Sequence, residues 1–298
     1  MLITMKNATK WRHFTSVVSI ILLLGSLVAI SVKGLNWGLD FTGGIVTEVQ
    51  TNSALTSHEI DQQLDTKFGQ DVSVIAAGEP GRWVLRYAIP EQGEAPDVSA
   101  ALHTLDANVQ VLNTSIVGPQ VGQELAEQGG LALLVAVLCI LGYLSYRFEW
   151  RLASGSVFAL AHDVIFVLGF FALTQMEFNL TVLAAVLAIL GYSLNDSIII
   201  ADRIRELLIS KPNKAIEDIN NEAIAATISR TMITSGTTLL TVGSLWLLGG
   251  GALEGFAIAM FIGILTGTWS SISVGTALPE LFKLDSSHYK LVPVSQEP

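Results

Sequence analysis

Two stretches of the sequence place ionisable side chains inside runs that are otherwise apolar. In LTVLAAVLAILGYSLNDSIIIADRIRE, Asn195 and Asp196 interrupt a run that begins at Leu180; in ASGSVFALAHDVIFVLGFFAL, His162 and Asp163 fall near the middle. A charged group within a bilayer costs several kcal/mol, and such groups usually face a protein interior or a wet cavity. The chemistry they offer is reversible proton binding. Desolvation disfavours a carboxylate and a nearby cation favours it, so a movement that shifts either one loads or unloads a proton. Arg230, at the head of a later apolar run, is the nearest available cation for Asp196 if the two helices are neighbours. One charge crossing about 100 mV yields roughly 2.3 kcal/mol, enough to bias a domain motion. Thr231, Thr234, Thr238 and Thr241 recur at i, i+3, i+7 and i+10, which puts four hydroxyls on one helix face. Asp196, Arg230, Asp163, His162, Asn195, Thr234 and Thr238 are therefore the candidate proton path. Three alternatives stay open: a structural buried ion pair, a neutral core histidine at position 162, and threonines that bond back to their own helix.

The elements that must position these groups are membrane helices. The 298 residues are 51% hydrophobic and 14% charged, against about 25% charged in a soluble domain. Six apolar segments have the length to cross a bilayer, at about 14–32, 129–146, 152–173, 180–201, 231–248 and 255–278. The first follows Lys6, Lys10 and Arg12, but it is longer than the apolar part of a signal peptide and lacks an A-x-A site, so it is expected to stay as an anchor. Of the 16 Lys and Arg residues, all but Lys33, Lys67, Arg82 and Arg86 fall on the same side as the N-terminus. The positive-inside rule then puts both termini in the cytoplasm. The net charge of −10 does not suggest nucleic-acid binding, and the single Cys139 permits no intramolecular disulfide. No cofactor and no metal is expected.

Residues 33–128 form the one sizeable polar segment. Their pattern reads strand 45–51, helix 56–69 opened by a Thr56/Glu59 capping box, strands 71–77 and 82–89 around a GEPG turn, helix 96–106 and strand 108–118. The order βαββαβ predicts a ferredoxin-like α+β unit. The expected architecture is thus an α-helical polytopic membrane protein with six transmembrane helices and this small periplasmic domain between helices 1 and 2. Its parts are residues 1–32 (cytoplasmic N-terminus and helix 1), 33–128 (the α+β domain), 129–278 (helices 2–6) and 279–298 (cytoplasmic tail).

Glycines mark two further places. Gly38, Gly43 and Gly44, where the first span meets the first strand, permit positive φ or close approach, as a tight turn or as a hinge that lets the domain tilt. Gly255, Ala259, Gly263, Gly267, Ser271 and Gly275 form an i+4 stripe on the sixth span, a surface for close helix packing.

Four stretches together resemble the SecD/SecF family of bacterial protein-export membrane proteins, within the resistance-nodulation-division superfamily, and on its SecF side. They are GLNWGLDFTGG (34–44), VGPQVGQEL (117–125), GYSLNDSIIIADRIRE (191–206) and SRTMITSGTTLL (229–240), and their order and spacing cover essentially the whole chain. The resemblance implies a heterodimer with SecD forming a pseudo-symmetric twelve-helix unit, often accompanied by YajC and associated with the SecYEG channel. It implies use of the proton gradient to draw preproteins out on the periplasmic side of the bacterial inner membrane. It maps the family's transmembrane aspartate onto Asp196, its arginine onto Arg230 and the H-D of the third span onto Asp163; Ser229 stands where the family usually has Asn. Half of a proton-coupled small-molecule exporter, an intramembrane aspartyl protease using Asp163 and Asp196, and a passive channel scaffold are the competing readings. A chain with one small domain and six spans fits a half-unit, and neither aspartate sits in a protease-like motif.

Overall fold

In lipid every backbone polar group must be satisfied within its own segment, which leaves helices as the way for these apolar runs to cross. The computed structural model describes residues 5–52, 55–77, 80–89 and 96–289. The chain opens with α1 (Met5–Lys33), then a two-residue strand β1 (Asn36–Trp37) and a single turn α2 (Leu39–Thr42). The small domain follows as β2 (Gly44–Gln50), α3 (Ser57–Phe68), β3 (Ser73–Ala76), β4 (Arg82–Tyr87), α4 (Val98–Leu102) and β5 (Gln110–Val117). The helices α5 (Pro119–Arg147) and α6 (Trp150–Thr174) come next. A short strand β6 (Glu177–Phe178) then precedes α7 (Leu180–Ser210), α8 (Ile216–Leu248), α9 (Gly251–Ile272) and α10 (Val274–Leu281).

The domain has the expected βαββαβ order. Its sheet runs β3-β4-β2-β5, antiparallel throughout, which is the ferredoxin-like arrangement. Ile45, Val49, Leu85 and Tyr87 from the sheet meet Ile60 and Leu64 of α3 and Leu102 of α4 in its core. The capping box forms as read: the Thr56 hydroxyl accepts from the Glu59 N–H, and the Thr56 N–H donates back to the Glu59 carboxylate at 2.9 Å. These bonds hold the Glu59 carboxyl below its ordinary range. Within the expected GEPG turn, Gly78 and Glu79 lie outside the described residues, as does the tail from residue 290.

Among the described residues six helices are long and apolar enough to cross a membrane, α9 and α10 counting as one. Two differences from the sequence reading have clear causes. Most helices outrun their apolar segments, because a helix ends at a cap and not at the edge of hydropathy: α8 starts at Ile216 instead of 231, with Ile219 and Ala223 fully buried. The sixth span is also not one continuous helix. It breaks at Ser273, and Pro279 lies inside α10, where it can neither donate to the Gly275 carbonyl nor pack its ring against it.

The spans differ in depth. Only 11% of the most apolar window of α1, and likewise of α5, is buried within the chain, against 61% of the sixth span. Thus α6, α7 and α9 form the centre, and α1, α5 and α8 lie around it. The centre has two apolar layers. Val167, Phe171, Val186, Ile189 and Ile264 belong to one; Leu152, Ile200, Ile204 and Leu208 belong to the other. Between them each central helix turns polar: Ser156, His162 and Asp163 on α6, Ser193, Asp196 and Ser197 on α7, Ser270 and Ser271 on α9.

Candidate functional site

Asp163 occupies the middle of that polar waist and is wholly buried. Its Oδ2 accepts from the Ser193 hydroxyl at 2.5 Å and the Ser270 hydroxyl at 2.8 Å, and its Oδ1 lies 3.0 Å from Nδ1 of His162. Three helices therefore converge on one carboxylate. Gly267 makes room for this: a Cβ there would lie 3.1 Å from the Ser193 Cβ and 3.4 Å from Asp163 Oδ2. His162 is buried too, stacked on Phe166, and its Nε2 has no partner among the described residues.

Asp196 has the opposite surroundings. It is 2% exposed, yet its Oδ2 has no hydrogen-bond partner among the described residues. Ser235 of α8 approaches it, but the Ser235 hydroxyl is engaged with Thr268 at 2.8 Å. The hydroxyls of Ser197, the residue after Asp196, and of Thr231, one turn before Ser235, are also buried without partners among the described residues. Among the described residues no ion pair joins Asp196 to Arg230, which is exposed. The reason is rotational. The inward face of α8 carries Thr231, Ser235 and Val242, and Arg230 lies about 100° round from Thr231. Asn195 likewise turns to the exposed side of α7.

The threonine face divides in the same way. Thr231 points inward, whereas Thr241 is exposed. Thr234 donates to the Arg230 and Thr231 carbonyls, Thr238 to the Thr234 carbonyl and Thr241 to the Thr237 carbonyl. Their hydroxyls serve their own helix. The small-residue stripe packs α9 against α7: Gly255 faces Val182, Gly263 faces Ile189 and Gly267 faces Ser193, with Ala259 and Ser271 buried along the same line. Gly275 continues it toward Ala159 and Gly155 of α6.

The glycine-rich junction is close-packed. A Cβ at Gly38 would fall 2.6 Å from Glu177 Oε1 and 2.9 Å from the Asn179 Cβ; one at Gly44 would fall 2.5 Å from a Leu39 methyl. Gly43, at φ 75°, is the one of the three that requires the left-handed region. The strand β1 pairs in parallel with β6, and Gly38 N–H donates to the Phe178 carbonyl at 2.9 Å. Asp40 then accepts from the Leu180 N–H at 2.9 Å, at the start of α7, beside the Asn179 cap. A carboxylate there meets both an unpaired N–H and the positive end of the helix dipole. The segment between the first span and the small domain is thus fastened to the helix that carries Asp196. Arg86 of β4 adds a second tie to the same loop, 3.2 Å from Glu177.

Sequence reasoning missed Ser193, Ser235 and Ser270, whose polarity is unremarkable until three helices meet. It also missed an ionic knot at the other end of the bundle. Arg12, read as a basic flank of the first span, is 3% exposed and lies 2.5 Å from Glu280 of α10. His13 reaches the same carboxylate at 3.0 Å, and Asn220 of α8 reaches it at 3.2 Å. The Pro-Glu pair at the end of the sixth span was the available signal.

Comparison with known proteins agrees with this architecture. The model for the C-terminal region of SecD/SecF protein export membrane proteins matches residues 97–284, and that for the SecD/SecF GG motif matches residues 28–54. Protein translocase subunit SecF of Vibrio alginolyticus is 42% identical over 97% of this chain and 93% of its own length. The subunit of the same name from Escherichia coli O157:H7 is 38% identical over 97% and 91%. The crystal structure of SecDF from Thermus thermophilus, a translocon-associated membrane protein, superposes with a TM-score of 0.78 at 32% identity. It is matched over 92% of this chain, which spans 38% of the SecDF chain's length. With more than nine-tenths of this chain and of both relatives matched and its glycine motif among the matched segments, the chain belongs to the SecD/SecF family of protein-export membrane proteins.

Proposed function

We propose that this multi-pass membrane protein is an accessory subunit of the Sec preprotein translocase and that, paired with SecD, it couples the proton-motive force to preprotein movement. Asp196 is the proton carrier. The observation that carries this reading is a buried carboxylate oxygen with no hydrogen-bond partner among the described residues. An acid so placed has little fixed compensation for its charge, and its protonation state answers to whatever approaches it. Arg230 and Asn195, on the exposed side of α8 and α7, are the polar groups that a partner's helices would cover, along with the exposed Ile233 and Leu240. Assembly or a conformational step that brings the guanidinium inward would switch Asp196 to its ionised form. Asp163, with His162, is the second ionisable centre of the path.

The orientation follows from the Lys and Arg asymmetry: inner membrane, both termini cytoplasmic, residues 33–128 periplasmic. Association with SecYEG and YajC and contact with the emerging preprotein belong to the same reading. Its test is preprotein release from vesicles containing SecYEG, SecD and this chain, with and without a proton gradient. Asp196→Asn and Arg230→Met should each lower the gradient-dependent part on the order of 100-fold while the complex still assembles. Full gradient-dependent release in either variant sinks the proposal.

A further inference from the structure

Halfway along the bundle, α1, α6 and α9 leave between them a groove of about 440 Å³. Leu22 of α1, Phe166 and Phe170 of α6, and Leu265 and Trp269 of α9 line it. Leu22, Leu265 and Trp269 are exposed, so the groove opens to the bilayer. One lining residue is of a different kind. His162 is 3% exposed, its ring stacks on Phe166, and its Nε2 has no partner among the described residues. It stands midway along α6 (Trp150–Thr174), about 18 Å from either end. Half the hydrocarbon thickness of a bilayer is about 15 Å, so this nitrogen lies close to the midplane.

A charged head is disfavoured at that depth by its desolvation. A water needs two to four polar partners, and the other polar side chains of the groove are committed: Thr266 donates to the Ile262 and Gly263 carbonyls, and the Trp269 indole donates to the Ser19 hydroxyl at 2.9 Å. An acyl chain fills the space but leaves the buried nitrogen unpaired, a cost that a hydroxyl removes. The histidine's other nitrogen narrows the choice. Nδ1 lies 3.0 Å from Asp163 Oδ1. With Asp163 ionised, Nδ1 carries the hydrogen and Nε2 accepts; with Asp163 donating to Nδ1, Nε2 carries the hydrogen and donates. A hydroxyl answers both states, whereas an ether or ester answers only the second. Phe166, Phe170 and Trp269 present aromatic walls, which favour a ring by offset or edge-on stacking. We propose that this groove binds an uncharged, phenol-headed amphiphile of the bilayer, its hydroxyl on Nε2 of His162 and its apolar tail between α1 and α9. A hydroxyl donating to Nε2 fixes the tautomer whose hydrogen faces Asp163. Occupancy of the groove therefore sets a hydrogen bond at the buried carboxylate from outside the bundle.

The test reads binding and not preprotein release, so its failure is separate from any failure of the proton reading. The full chain, in phospholipid nanodiscs with and without SecD, is photolabelled with a para-hexylphenol that carries a diazirine in its tail, and the labelled residues are mapped by mass spectrometry. Labels should fall on the groove segments of α6 and α9. Plain para-hexylphenol should compete on the order of tenfold better than para-hexylanisole, which has the same ring and tail but no O–H. His162→Phe should remove that preference. Leu265→Trp, a change at an exposed wall that leaves His162 in place, should lower labelling about fivefold by narrowing the groove. Equal competition by phenol and anisole, labels spread evenly over the helices, a preference retained in His162→Phe, or full labelling in Leu265→Trp each overturn the site. Labelling lost when SecD is present overturns it as well, since the groove is then a contact between subunits.

Discussion

Asp163 and Asp196 stand on neighbouring helices, both buried, in surroundings of opposite kind. Asp163 accepts from two serine hydroxyls and contacts its neighbouring histidine, tying α6, α7 and α9 together at one point. Asp196 has an oxygen with no partner among the described residues, and the arginine expected beside it faces outward. A carboxylate held from three helices fastens them; removing it strands its donors. A carboxylate with bonds missing contributes little to the fold and is free to respond to a change around it. The same residue type therefore sits in two settings, and the surrounding hydroxyls, more than the burial, separate them.

That contrast can be broken by four measurements, taken from the largest effect to the smallest. Asp163→Ala should lower the stability of the purified protein by about 2–4 kcal/mol, since it leaves buried donors unpaired; thermal unfolding in detergent would read this, and an unchanged midpoint would remove the fastener role. Gly267→Val should cost about 1–3 kcal/mol by crowding Ser193 and the Asp163 carboxylate, because overpacking forces neighbours off their rotamers. The same unfolding assay checks it, and tolerance would mean that α9 can retreat from α7. Asp196→Asn should shift stability by less than about 1 kcal/mol, as its Oδ2 has no bond to lose, despite its large effect on release. A stability loss matching that of Asp163→Ala would erase the distinction. Thr234→Val and Thr238→Val should each change stability by less than about 0.5 kcal/mol and release by less than twofold, because these hydroxyls bond to their own helix. A tenfold loss of release in either would restore the threonine face to the proton path.

Much of this was legible in advance, for reasons that differ by element. The apolar runs and the βαββαβ pattern are local properties, and the Thr56/Glu59 box is a four-residue event, so each could be read along the chain. The i+4 stripe from Gly255 to Gly275 announced a close contact and left the partner helix open; Val182, Ile189 and Ser193 supply it. What could not be read was convergence. Ser193 and Ser270 are single serines on separate helices, and nothing in either neighbourhood says that one carboxylate collects both. Arg12 and Glu280 are 268 residues apart, and a basic residue beside a first span has an ordinary explanation that hides the buried pair. The facing of Arg230 was unreadable for a related reason: proximity in sequence order to the inward Thr231 says nothing about which of two adjacent side chains a helix turns outward.

The bond from Leu180 N–H to Asp40 has a geometric consequence. The helix α7 is 31 residues long, and Asp196 lies about 24 Å along it from the end that Asp40 holds. A stiff rod pinned at one end converts rotation into travel: a tilt of about 5° there carries Asp196 sideways by about 2 Å, most of a hydrogen-bond length. The ratio works in both directions. A small displacement at the carboxylate appears at the pinned end as an angle, and the domain attached beyond Gly44 would multiply that angle by its own reach. Any tilt of the glycine motif against α7 would thus be felt at the carboxylate as a displacement.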